Sequence, residues 1–132
     1  MGFGGILGQG ISTPVSVPDG GTGATTALGA RTNLEVGKTV FGTATFTKAG
    51  WTLSGSVYKQ TQTIQGLATT MRYQPIIYLL PSSDSATAAN EKTAFALLAD
   101  YGQTGENTLT LTTSGNSAPQ VGFTVQVVGE VQ

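Results

Sequence analysis

The side chains able to do chemistry in this chain are few, and their placement limits what they can do. The acids are Asp19, Glu35, Asp84, Glu91, Asp100, Glu106 and Glu130, scattered along the sequence rather than set to face one glycosidic bond as a pair. There is no cysteine and no histidine. Thiolate nucleophiles, disulfides, Cys/His zinc sites and serine–histidine–acid relays are therefore excluded. Gly37-Lys38-Thr39 has the closing residues of a phosphate-binding loop, but Thr32 stands where that loop needs its first glycine. Gly20-Gly21-Thr22-Gly23 departs from the dinucleotide pattern at Thr26, the place of its third glycine. Asp100, Glu106 and Asn107 match no calcium-loop spacing and read as a solvated turn. The expectation is a protein that is not an enzyme, with no catalytic residue, no metal and no cofactor.

Recognition is the chemistry that remains. Trp51, Tyr58, Tyr73, Tyr78 and Tyr101 offer flat faces on which sugars can stack. Trp51, the only tryptophan, reads as a packing centre. Tyr73 lies next to Arg72 in a loop before an apolar strand, so this pair is the candidate receptor contact. The cations Arg31, Lys38, Lys48, Lys59, Arg72 and Lys92 do not cluster, and the formal net charge is -1. That balance gives no grip on a nucleic-acid backbone, so no nucleic-acid partner is expected. Charged residues are only 10% of the chain, so its polar surface must come mainly from hydroxyls and amides.

The elements that must position these residues fall into three parts. Residues 1–17 form an extended arm, in which Phe3, Ile6, Leu7 and Ile11 sit among glycines without helical or strand period. The arm has neither the basic flank of a secretory signal nor the length of a membrane span, so no membrane insertion is expected. Its apolar side chains can order by docking on a partner. Residues 18–37 form a turn-and-helix joint. Pro18 and the glycines supply the turn; Thr25 or Thr26 caps a helix of about two turns through Leu34. So short a helix is marginal alone, and Leu28 and Leu34 are too few to make a private core. Ala27, Leu28, Ala30 and Leu34 are the expected contacts with copies of the same joint.

Residues 38–132 carry most of the strand signals. Val40–Thr47, Tyr58–Ile64, Pro75–Pro81, Thr108–Thr112 and Val121–Val127 give about five strands. Pro75–Pro81 is the most continuous apolar run and reads as a fully buried central strand. Tyr58, Gln60, Gln62 and Ile64 share one face, whose amides suggest a neighbouring chain, water or a ligand opposite. Ser83–Tyr101 reads as one long helix, capped by Asp84, Ser85 or Thr87, with Ala88, Glu91, Ala94, Phe95, Leu98 and Tyr101 at helical spacing. A parallel crossover through this helix is open. Val121, Phe123, Val125 and Val127 are expected to line the core with Ile76, Leu79, Phe95 and Leu98.

The run Gly20-Gly21-Thr22-Gly23-Ala24-Thr25-Thr26-Ala27, followed by Gly29-Ala30-Arg31 and Asn33-Leu34, resembles a signature of bacteriophage fibre proteins. Such proteins are mostly tail fibres and sometimes head fibres. Leu28 occupies a position that is often alanine there, and Glu35 one that is usually glycine. The segment from Phe46 to Val128 is more weakly similar to small terminal fibre domains, through Trp51, Tyr58 and Gln60-Thr61. The resemblance implies a homotrimeric structural protein of the virion. Residues 1–17 would be its virion-anchoring arm, with Phe3, Ile6, Leu7 and Ile11 as anchors on tail or capsid proteins. Residues 18–37 would be its trimerisation joint, and residues 38–132 a β-rich tip for attachment to a host-surface glycan or protein. Capsid decoration, or an assembly tip that binds no receptor, is the alternative; a polysaccharide depolymerase is disfavoured. The fold class expected is α+β: arm, short helical joint, and a small β-rich domain with one long helix.

Overall fold

A computed structural model of the protein describes residues 14–34, 36–99 and 102–131. It is a small mixed α+β fold, rich in strands and with two helices. Contacts divide it after Lys38 into two units, the second being Thr39–Val131.

In the first unit a short 3-10 turn, Val17–Asp19, precedes helix α1, Ala27–Asn33. Gly20 (φ 92°) and Gly23 (φ 68°) take left-handed backbone that a side chain would strain. Thr26 caps α1 by accepting a hydrogen bond from the Gly29 amide at 3.0 Å. The Asn33 side-chain amide donates to the Thr22 carbonyl at 2.7 Å, tying the helix end back to the glycine turn.

The second unit holds two sheets. Strands β1 (Lys38–Phe46), β4 (Tyr73–Leu80) and β7 (Phe123–Val131) form one, in the order β1-β7-β4. Strands β2 (Thr52–Ser54), β3 (Val57–Thr63), β5 (Gln103–Gly105) and β6 (Thr108–Thr112) form the other, in the order β2-β3-β6-β5. Both bury one face in a single core. Val40, Ala44, Phe46, Phe123, Val125 and Val127 come from the first sheet, and Leu109 and Leu111 from the second. Strict alternation sets this: on β6 the two leucines point inward and the three threonines lie half-buried around them. Phe46 stacks on Trp51 and Phe123, with ring centres 6.1 and 5.9 Å away, and Phe95 meets Phe123 edge-on at 5.8 Å.

Helix α2, Ser85–Phe95, brings Phe95 to this cluster and buries Glu91 and Ala94. Asp84 caps it, accepting from both the amide and the hydroxyl of Thr87. The buried Glu91 carboxylate accepts from the Ser82 amide and hydroxyl, each at 2.8 Å. The helix stops at Phe95, well short of Tyr101, which lies outside the described residues. Sheet pairing wins the following residues: Leu98 bridges to Thr113, and the Ala99 amide donates to the Thr112 carbonyl at 2.8 Å.

Three further expectations are corrected, and the crossover that the sequence leaves open is decided. Pro75–Pro81 is not a buried central strand: β4 lies at a sheet edge, pairing only with β7, with Pro75, Ile77 and Leu79 turned inward. Ile76 is therefore not a core residue; it is 56% exposed on the outer face, with Tyr78 and Leu80. An unbroken apolar run does not encode which of its faces meets the core. No parallel crossover forms through α2, because β4 pairs antiparallel with β7 in one sheet while β6 pairs antiparallel with β3 and β5 in the other. Gln60 faces the core instead of a chain, water or ligand, because backbone groups within the domain satisfy its amide. Its oxygen accepts from the Thr47 amide and its nitrogen donates to the Thr47 carbonyl, both at 2.9 Å. The short strands β2 and β5 had no signal of their own and arise by pairing with β3 and β6.

Candidate functional site

The expected recognition pair forms one wall of a surface cleft of about 560 Å³. Its position follows from a local break in β4. The register against β7 shifts between Tyr73 and Ile76, and Pro75, which has no amide hydrogen, sits inside that break. The bulge frees Tyr73 from regular alternation and leaves it 61% exposed.

Arg72 is held from three sides. Its backbone amide donates to the Glu130 carbonyl at 2.8 Å, its Nε lies 3.3 Å from Glu130 Oε2, and its guanidinium carbon is 5.5 Å from the centre of the Tyr73 ring. The ion pair is partly exposed, so it fixes geometry more than it stabilises the fold. Stacking on Tyr73 orients both flat groups.

The opposite wall is Gly102-Gln103-Thr104 at the start of β5, with Thr69 and Gln74 completing a rim of hydroxyls and amides. Gly102 lies close against the core: a Cβ there would lie 2.8 Å from both Ile77 Cδ1 and Leu109 Cδ1, so those chain ends would have to shift. The cleft thus presents neutral donors and acceptors, one aromatic ring, the apolar side chains of Met71 and Pro75, and a cation paired with a carboxylate. Such a surface suits a polyhydroxylated ligand. Among the described residues no group of three or more acidic side chains is placed to hold a metal ion.

The other expected site residues are dispersed. Ala27 and Leu28 are exposed, as is Leu34, while Ala30 is half-buried; no residue of α1 is buried. Phe3, Ile6, Leu7 and Ile11 lie outside the described residues. The sequence suggests a loop for both Arg72 and Tyr73, but Tyr73 is the first residue of β4, paired with Glu130. The sequence does not show their partners, Glu130 and the β5 wall. Those partners are distant in sequence and carry no motif; the sole local signal was Pro75, which marks a break in the strand.

The chain matches no family model, no curated protein and no solved structure.

Proposed function

We propose that this chain is a bacteriophage fibre protein: homotrimeric, anchored on the particle through residues 1–17, and exposing its β-rich domain to the host surface. The observation that carries the reading is the run Gly20–Leu34. The residues that bear the resemblance to fibre proteins also have physical roles: left-handed backbone at Gly20 and Gly23, a cap from Thr26, and the Asn33–Thr22 tie. A Cβ at Gly29 would meet Ala24 and Thr26 at 2.9 and 3.0 Å, so that glycine is spatially required as well. The run holds a seven-residue helix while leaving Leu28 52% and Leu34 46% exposed. A capped short helix with bare leucines suits association with further copies, in which Ala27 and Ala30 permit close approach.

The cleft beside Tyr73 supports attachment to a host-surface glycan, through ring stacking and a rim of hydroxyls and amides. An assembly tip without receptor binding is the second reading, favoured by the bare outer face of the β1-β7-β4 sheet. Native mass measurement and imaging of antibody-labelled particles test the proposal together. A trimer, with the chain on a tail or capsid projection, supports it. A stable monomer at micromolar concentration, or absence from purified particles, overturns it. Binding of the intact protein on a glycan array then separates attachment from pure assembly.

A further inference from the structure

Among the described residues, the lining of the cleft beside Tyr73 contains one charged side chain, Arg72. That charge is already answered. Its Nε lies 3.3 Å from Glu130 Oε2, and its guanidinium carbon stands 5.5 Å over the Tyr73 ring. The floor of the cleft is apolar. Met71 and Pro75 lie over Gly129 of β7, where a Cβ would come within 2.6 Å of Met71 Cε and 3.4 Å of Pro75 Cβ. The rim is neutral, made by the hydroxyls and amides of Thr69, Gln74, Gln103 and Thr104. At about 560 Å³ the cleft falls in the ordinary range for small-ligand sites, about 300 to 1,000 Å³.

Such a lining accepts hydroxyls readily and a ligand charge badly. A sugar ring can set its C–H face on Met71, Pro75 and the Tyr73 ring while its hydroxyls reach the rim. A sugar carboxylate entering the same place loses water and gains no net countercharge, because Glu130 already holds the lining cation. To pair with Arg72 it must displace Glu130 or stand beside it as a like charge. We infer that the cleft selects uncharged sugars over uronic and sialic acids, and that Glu130 determines the selection. Its carboxylate acts through Arg72: it holds the guanidinium in place and cancels the charge that would otherwise draw an anion. This selection rests on the glycan reading of the cleft, adds the class of glycan to it, and requires neither a trimer nor a virion.

The methyl glycosides of glucose, galactose and mannose, each set against its hexuronate, differ only in a hydroxymethyl or a carboxylate on the last carbon. Each pair is titrated into the full-length, isotope-labelled protein at neutral pH, and the backbone amide shifts of Thr69, Gly102, Gln103 and Thr104 are followed. In the wild type at least one hexoside should bind about tenfold more tightly than its uronate, with an affinity that sodium chloride does not change. Glu130→Gln keeps an acceptor for Arg72 Nε but drops the charge. It should bring the preference down to about threefold or less by tightening uronate binding, which should then weaken with salt. Arg72→Gln leaves the Glu130 charge unanswered and should widen the preference instead. Equal affinities or a uronate preference in the wild type overturns the selection while leaving a glycan site standing. An unchanged preference in Glu130→Gln, or a narrowed one in Arg72→Gln, overturns the role of Glu130. No shift with either member of any pair overturns the glycan reading of the cleft, and the selection with it.

Discussion

The side-chain amide of Gln60 pairs with the backbone of Thr47 as one strand residue pairs with another: one bond accepted, one donated, each 2.9 Å. Gln62 Nε2 donates to the same oxygen at 2.8 Å. Gly50 makes the room, since a Cβ there would lie 2.6 Å from the Gln60 amide. A buried glutamine thus joins β3 to the end of β1 without exposing either strand.

Gln60→Leu leaves the amide of Thr47 unpaired, while its carbonyl keeps the Gly50 amide at 3.3 Å, and should destabilise the protein by about 1 to 3 kcal/mol, measured by urea unfolding. Gly50→Ala should cost a comparable amount, because Gln60 cannot move aside without losing both bonds. If the two changes are combined, the sum should fall short of additive, since both act on one contact.

Phe95 is the helix's contribution to the aromatic cluster around Phe123. Its replacement by alanine should cost about 3 to 5 kcal/mol. A change under about 1 kcal/mol would mean that α2 rests loosely on the core.

These two predictions differ in how far the sequence alone could reach them. The alternation of Phe123, Val125 and Val127, and of Leu109 and Leu111, is visible as period two, and each of these residues is buried. Phe95 was legible from helical spacing with Glu91 and Ala94. Gln60 was not, because its partners come from a turn brought close only by folding. Ile76 misled for the opposite reason: β4 is apolar on both sides, and a single chain covers just one of them. At the cleft, the loop reading held for Arg72 but not for Tyr73, which opens strand β4 opposite Glu130, and Glu130 itself is supplied by the last strand and has no local mark.

Asp84 titrates below its ordinary value of 3.8, first because the Thr87 hydroxyl and then because the Thr87 amide bonds its carboxylate. A folded pKa below the unfolded one gives stability that is present above the unfolded value and lost as pH falls through the folded one. The cap's contribution should therefore be constant at neutral pH and fade below about pH 4. Asp84→Asn keeps an acceptor at every pH, so its difference from wild type in thermal unfolding should shrink on acidification. A difference independent of pH would show that the charge plays no part.

Tyr73 is exposed and outside the core, so Tyr73→Ala should leave the unfolding midpoint nearly unchanged. If the cleft binds sugars by stacking, the same change should weaken binding roughly tenfold, and Tyr73→Phe should largely restore it. Equal loss with Phe and Ala would assign the contact to the hydroxyl instead of the ring.

The threonines that line the exposed strands bond to one another across the sheets, Thr45 to Thr124 at 2.9 Å and Thr61 to Thr110 at 2.6 Å. Hydroxyl pairs of this kind carry no net charge, so dissolved ions have nothing to screen. Charged residues are only 10% of the chain, and the Arg72–Glu130 ion pair is partly exposed. The fold should therefore be indifferent to ionic strength, with the same unfolding midpoint in fresh water and in brine apart from the general strengthening that excluded salts give to apolar burial. A shape held by hydroxyl pairs and apolar burial persists through changes of salinity that would loosen one built on charge pairs.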